Sequence, residues 1–417
     1  PAAQFLLGSI FSSTINDKYD INKAIYYYKL ASDQNYPEAQ YNLGQIYHRN
    51  NDLKKAVYYI GLAAKNGLKE AQYTLGSFYD DFNVLPKDIN LAIHYYKLAA
   101  EKNEIHSLFN LGVIYSKGKY VQPDIKLALH YLNRAADLNH SKALFNLGVI
   151  YSEGTKVPRN INKAMEYYER ASNIGNSKAQ YNLGCIYKEG KYVQQDLKKA
   201  IHYFTLSSKL NNSEAQLTLG IMYYNDKNNI QKGVELLIQS AKNGNSVANF
   251  YVGFLYHEGE VINQDIEKSI CHYKNASSFN DQHAKNNLGI IYKNGFGDKI
   301  KKNIANAIVY FEEAIHQSKD ELATYNLASI YLFDELIPNG IDKAIDLLIE
   351  SSSNTQFVPI VVLLCLALTK KFRFDIEKFK QRIGNNNELQ SEVFGICNQL
   401  KLYNQNDIEK NFEEYEK

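Results

Sequence analysis

The sequence predicts an all-α fold, an α/α superhelical solenoid of about ten stacked helix-pair repeats. Three observations predict it. A Leu-Gly pair recurs at near-constant spacing, small residues recur seven apart downstream of each pair, and length variation is confined to one place in the period.

The Leu-Gly pair stands at Leu7-Gly8, Leu43-Gly44, Leu75-Gly76, Leu111-Gly112, Leu147-Gly148, Leu183-Gly184, Leu219-Gly220 and Leu288-Gly289, with Val252-Gly253 and Leu327-Ala328 as variants. Successive pairs are 36, 32, 36, 36, 36, 36, 33, 36 and 39 residues apart, which marks a repeat architecture. Around each pair the apolar residues keep helical spacing, as in Ala179-Gln-Tyr-Asn-Leu183-Gly184-Cys-Ile-Tyr187. A glycine inside a helix costs about 0.5–1 kcal/mol relative to alanine. Its recurrence therefore needs a steric reason, and close approach of a partner helix supplies one.

The second helix of each repeat carries a small residue at Ala24, Ala56, Ala92, Ala128, Ala164, Ala200, Gly233, Ser269, Ala307 and Ala344. Seven residues later another follows: Ala31, Ala63, Ala99, Ala135, Ala171, Ser207, Ser240, Ala276, Ala314 and Ser351. Positions i and i+7 share a helix face, so these residues admit a neighbouring helix. From Gly to the second-helix small residue the spacing varies between 12 and 18, but from there to the next Gly it is 20 in eight consecutive cases and then 21. Insertions thus fall in a loop inside the repeat, and the join between repeats is fixed by stacking.

Residues 1–350 are assigned to the solenoid and 351–417 to a degenerate last repeat and a C-terminal helical cap. Gln356–Thr369 reads as an all-apolar, buried first helix, Asp375–Ile383 and Glu388–Leu400 as capping helices, and Asp407–Lys417 as a frayed or disordered end. The chain begins at Pro1, within a first helix and without a preceding cap or Met. The expectation is that further protein lies upstream, since the end repeat of a solenoid exposes its stacking face.

The motifs Ala-x-x-x-Leu-Gly-x-x-Tyr and Ala-x-x-Tyr-Tyr-x-x-Ala, as in Ala143–Gly154 with Ala164–Ala171, resemble Sel-one-like repeats, relatives of the tetratricopeptide repeat. The resemblance covers about residues 1–350. It implies a non-catalytic protein-binding scaffold or adaptor whose first helices line a concave groove, but it does not name a partner.

Lys+Arg total 47 against 45 Asp+Glu, so no global field favours nucleic acid, and none is expected as a partner. The longest apolar run, Val358–Leu368, is shorter than the ~20 residues of a membrane span, and no direct membrane insertion is expected. Cys185, Cys271, Cys365 and Cys397 are scattered, without CxxC, which fits a reducing compartment and a cytoplasmic assignment. No phosphate-binding loop, HExxH or zinc-spaced Cys/His set occurs, so no cofactor, metal or catalytic residue is assigned and the chain is read as a non-enzyme. His94, His130 and His202 recur in register, but neighbouring repeats lie about 8–10 Å apart. That is too far for ligands of one ion at about 2 Å.

The candidate partner-binding residues form two ladders on the first helices. Asn stands two positions before the Gly position at Asn42, Asn110, Asn146, Asn182, Asn287 and Asn326. A largely aromatic series one residue earlier includes Tyr41, Phe109, Phe145 and Tyr181. An amide offers donor and acceptor together and suits the backbone of an extended peptide, while the rings offer contact area. The same residues also suit a purely structural role, with Asn tethering adjacent helices and the rings packing in the core. Two other functions stay open: the regulatory repeat region of a larger enzyme such as a protein kinase, with its catalytic domain upstream of Pro1, and an adaptor in an endoplasmic-reticulum quality-control complex.

Overall fold

Two kinds of helix alternate along the chain, and a computed structural model shows how each is bounded. It describes residues 1–13, 19–81, 84–118, 120–318, 320–334, 336–352, 358–372, 376–384, 389–390 and 393. The chain divides into two units, Pro1–Leu210 and Asn211–Lys417.

The first unit is six helix pairs. They are α1 (Ala2–Ser12) with α2 (Ile21–Ser32), α3 (Pro37–Arg49) with α4 (Leu53–Lys65), and α5 (Lys69–Asp80) with α6 (Ile89–Glu101). Then come α7 (Ile105–Lys117) with α8 (Ile125–Asp137), α9 (Ser141–Glu153) with α10 (Ile161–Asn173), and α11 (Ser177–Glu189) with α12 (Leu197–Lys209). The second unit continues with α13 (Ser213–Tyr224), α14 (Ile230–Lys242), α15 (Ser246–Glu258), α16 (Ile266–Ser278), α17 (Gln282–Asn294) and α18 (Ile304–Ser318). It ends with α19 (Glu321–Phe333), α20 (Gly340–Ser352), α21 (Val358–Phe372) and α22 (Ile376–Ile383). Among the described residues there is no strand, only isolated bridges at Phe296.

The small residues are the floor on which the helices meet. Ala24, Ala56, Ala92, Ala128, Ala164 and Ala200 are fully buried, as are Ala31, Ala63, Ala99, Ala135, Ala171 and Ser207. Between each two of them, four residues after the first, sits a large side chain directed at the glycine. A Cβ on Gly8 would lie 2.6 Å from Tyr28, on Gly76 2.8 Å from Tyr96, on Gly148 2.4 Å from Tyr168, and on Gly184 2.5 Å from Phe204. In the second unit Gly253 meets Tyr273 at 2.7 Å and Gly289 meets Phe311 at 2.4 Å. The mid-helix glycine thus exists because an aromatic or aliphatic side chain occupies the volume of its Cβ.

The fixed and the variable connections have separate physical causes. At the join between repeats the chain turns through one left-handed residue, Asn35, Gly67, Asn103, Asn139 or Gly175, a conformation only Gly and Asn adopt cheaply. The next N–H returns to a second-helix carbonyl: Tyr36 to Ala31 at 3.2 Å, Glu104 to Ala99 and His140 to Ala135 at 3.0 Å. One residue more or less would break this closure, which is why the spacing of 20 holds. Inside the repeat, the N–H of the second-helix cap donates to a first-helix Tyr carbonyl: Asp88 to Tyr79, Asp124 to Tyr115, Asn160 to Tyr151. The shorter loop before Asp52 closes likewise on Tyr47 at 2.9 Å. The same tyrosines stack on second-helix tyrosines, Tyr47 on Tyr59, Tyr79 on Tyr95, Tyr151 on Tyr167 and Tyr187 on Tyr203, with centroids 5.6–6.0 Å apart and planes within 13°. Loop length is free because both closures act on the helix ends.

The apolar run at Val358–Leu368 forms most of α21, whose Ile360, Leu363, Leu364, Ala367 and Leu368 are fully buried. The expected helix at Asp375–Ile383 is α22, and the readings at Glu388–Leu400 and Asp407–Lys417 fall almost wholly outside the described residues. Of the scattered cysteines, Cys271 is exposed and Cys365 is disulfide-bonded, a bond the sequence reading did not assign. Scattered spacing misses such a bond because folding, not sequence distance, sets which thiols meet.

Gly148→Ala is expected to lower stability by about 1–3 kcal/mol, because Tyr168 must move. Gly61→Ala, with nothing within 4 Å of its Cβ, should be neutral or stabilise by up to about 1 kcal/mol. Thermal unfolding of the two variants checks this, and equal effects would reject the steric account.

Candidate functional site

The Asn ladder turns out to be coupled to the residue that fills the glycine notch. Fourteen residues before Asn42, Asn110, Asn182 and Asn287 stand Tyr28, Tyr96, Tyr168 and Tyr273, each on the second helix of the preceding repeat. The Asn42 amide donates to the Tyr28 hydroxyl at 3.2 Å and that of Asn287 to Tyr273 at 3.0 Å. Asn110 and Asn182 stand beside the hydroxyls of Tyr96 and Tyr168 and lower their pKa. Burial raises the pKa of all three tyrosines Tyr96, Tyr168 and Tyr273, the last to about 12, and the Asn bond opposes this. Each buried phenol needs a partner, and the next repeat provides it. Asn326 donates instead to Asn286 Oδ1 at 3.1 Å.

Asn146 departs from this pattern. Its fourteenth predecessor is Leu132, a buried aliphatic residue with nothing to accept a hydrogen bond. Where another aliphatic residue, Ile60, fills the notch, the ladder position is Thr74, not Asn. Among the described residues Asn146 has no side-chain hydrogen bond. It is partly exposed and lines an open cavity of about 660 Å³ on the first-helix face of α5, α7, α9 and α11.

Within the first unit this cavity gathers Asn110 and Asn146 with the ladder aromatics Tyr73, Phe109 and Phe145. The rings are only half-buried. Phe145 packs at 6.0 Å on Tyr168 and Phe109 at 4.7 Å on His140, and each keeps surface toward the cavity. Tyr41 and Tyr181 lie outside it, with Tyr41 sharing a 3.2 Å hydrogen bond with Thr74 and Tyr181 packed on Phe204. Asn42, Asn182, Asn287 and Asn326 are likewise not among the cavity residues.

The sequence reading missed the other wall, which is made by the N-terminal turns of the first helices. It contributes His106 and His140, Lys142 and Lys178, Ser141, Ser177 and Asn176. Asn176 Oδ1 caps α11 through the Ala179 N–H at 2.9 Å, while its amide donates to Ser141 Oγ at 2.9 Å. His140 caps α9, with Nδ1 accepting from the Ala143 N–H at 3.2 Å, so its proton sits on Nε2. Among the described residues no carboxylate lines the cavity. A signal for this wall was present in the second residue of successive first helices, which runs Glu38, Glu70, His106, Lys142, Lys178.

His94, His130 and His202 are exposed, each edge-on to the adjacent tyrosine. Among the described residues no group of three His, Cys, Asp or Glu is placed to hold a metal ion. No described helix is long and apolar enough to cross a membrane.

The architecture is that of a helical repeat protein of paired antiparallel helices, and the Gly notch, small-residue floor and Asn-Tyr tether are its repeating parts. The chain belongs to the Sel1 repeat family: the family's profile matches ten repeats from residue 1 to residue 354, at 1–36, 37–68, 69–104, 105–140, 141–176, 177–212, 213–245, 246–278, 282–319 and 322–354. Solved structures agree on the fold. A protective antigen of uropathogenic Escherichia coli with an SLR fold superposes with a TM-score of 0.68 at 21% identity, over 99% of this chain and 86% of that one. A Sel1 repeat protein from Oxalobacter formigenes gives 0.62 at 24% identity, over 73% of this chain and 90% of that one. No curated protein matches the sequence at a significant level. Solenoids of this kind are generally a protein-interaction fold.

Burial lowers the pKa of His140, and the nearby charges of His106 and Lys142 add to the effect while Glu104 opposes it. The folded state therefore resists protonation that the unfolded chain accepts near the ordinary value of about 6.5. Stability from this group is complete above that pH and is lost as pH falls through the depressed folded value. The thermal midpoint should drop between pH 7.5 and pH 5.0, and His140→Asn, the cap used at Asn176, should remove part of that drop. His272, also lowered by burial, accounts for a remainder. An unchanged pH profile in His140→Asn would refute the assignment.

Proposed function

We propose that this chain is a non-catalytic protein-interaction scaffold, and that the first-helix face of α5–α11 takes an extended segment of a protein partner. The observation that carries the reading is Asn146. Asn42 and Asn287 spend their amides on a buried tyrosine, and Asn110 and Asn182 stand beside one. Asn146 keeps donor and acceptor available in a cavity walled by half-buried rings. A free amide beside aromatic surface suits a peptide backbone with an apolar side chain between its contacts. This narrows the ladder to its centre: Asn110 and Asn182 each have a buried tyrosine hydroxyl beside them, and Asn146 has an aliphatic side chain in its place.

Peptides selected from a random displayed library on the full chain give the ligand for the test. Asn146→Ala should weaken those that bind here about fivefold, the value of one hydrogen bond on the order of 1 kcal/mol. Leu132→Tyr should do the same from beneath the surface, by giving Asn146 the tyrosine partner that stands at this place in four other repeats and leaving the groove wall unaltered. Both variants should keep the helical circular dichroism signal. Folded variants with unchanged affinity would overturn the placement of the site.

A further inference from the structure

We infer that the segment bound on this face is acidic, with two carboxylate side chains about three residues apart on either side of an apolar one. The inference rests on the reading of the cavity as a peptide groove and adds the chemistry of its occupant. Four observations support it.

The first is the composition of the walls. Lys142 and Lys178 are exposed at the rim and among the described residues no Asp or Glu lines the cavity, although the whole chain is nearly balanced at +2. The second is that neither lysine is committed elsewhere. Their counterparts on second helices are: Lys55 pairs with Asp52 at 2.8 Å and Lys268 with Asp265 at 3.0 Å. Among the described residues Lys142 and Lys178 have no ion pair. The third is the change of sign along the face. The same helix position is Glu38 and Glu70 on α3 and α5, and becomes His106, Lys142 and Lys178 on α7, α9 and α11. Positive charge is therefore confined to the stretch where the cavity opens. Glu104, two residues before His106, is buried and is taken up in capping α7 through the His106 and Ser107 N–H groups.

The fourth is the repeat distance. Lys142 and Lys178 occupy equivalent positions in adjacent repeats, whose first helices are separated by about 10 Å. A segment in the polyproline II conformation rises about 3.1 Å per residue and returns to the same face every third residue, so two side chains three apart span that distance on one side. With an acidic residue over each lysine, two residues lie between them, one of whose side chains meets Phe145 while the backbone passes Asn146. Charge complementarity of this kind sets orientation and specificity more than raw affinity.

The test uses the full chain and fluorescent twelve-residue peptides of Gly, Ser and Ala around a central Leu. One carries two Glu three positions apart, a second carries Gln at both places, a third carries Lys, and a fourth places the Glu residues two apart. In low salt the first should bind about five- to tenfold tighter than the Gln peptide, the return expected of two exposed ion pairs. It should also bind more tightly than the peptide with spacing two. The preference should shrink with added salt. In K142E/K178E it should invert, so that the Lys peptide binds best; both positions are exposed, and an unchanged circular dichroism spectrum confirms that the variant is folded. Equal binding of the Glu and Gln peptides, or a K142E/K178E variant that keeps the acidic preference, would overturn the inference. If the peptides bind without regard to charge and Asn146→Ala still weakens them, the groove stands and its acidic occupant falls. If none binds, both fall.

Discussion

The close contact between a mid-helix glycine and a large second-helix side chain is the constraint on which the rest of this structure depends. At Gly148 the backbone is packed so tightly on Tyr168 that a single added methyl would have no room. That contact sets how near the two helices of a repeat lie, and it fixes the rotation that brings Ala164 and Ala171 to full burial. The side chain in the notch also reaches forward. Where it is a tyrosine, its hydroxyl must be satisfied in the interior, and the Asn of the next repeat does so. One steric fact thus links packing within a repeat to attachment between repeats.

The proposed function rests on an exception to this arrangement. Leu132 fills the notch of Gly112 with a side chain that makes no hydrogen bond, its γ carbon 2.6 Å from where a Cβ would be. The next repeat nevertheless has Asn146. A polar group that the fold does not use, on a face lined by Phe109 and Phe145 and rimmed by lysines, is available to a ligand. The structural and binding explanations of the Asn ladder are therefore divided among positions. On the proposed reading, Asn42, Asn110, Asn182 and Asn287 serve the scaffold beside their tyrosines, whereas Asn146 is left to the partner.

The periodic features were legible in the sequence because they arise from contacts repeated at fixed intervals. Gly8 through Gly289, the small pairs beginning at Ala24 and Ala31, and the constant spacing of 20 all report the same stacking geometry, and the ten matched repeats coincide with them. The left-handed Asn103 and Asn139 and the cap His140 were not singled out, because each is one residue whose role is defined by a bond to a distant carbonyl or amide. The disulfide at Cys365 escaped for the same reason.

By itself the sequence determined the fold class, the number and boundaries of the repeats, and the first-helix location of the candidate residues, since these follow from local helical periodicity and from repetition. Only the tertiary structure decided which of those residues are free. Asn110 and Asn146 stand in identical local sequences, Phe-Asn-Leu-Gly-Val-Ile-Tyr-Ser. They differ because one meets Tyr96 from the preceding helix pair and the other meets Leu132. The same contacts between repeats bring Lys142, Lys178, Phe145 and Asn146 around one cavity, a neighbourhood that 36-residue separations along the chain do not show.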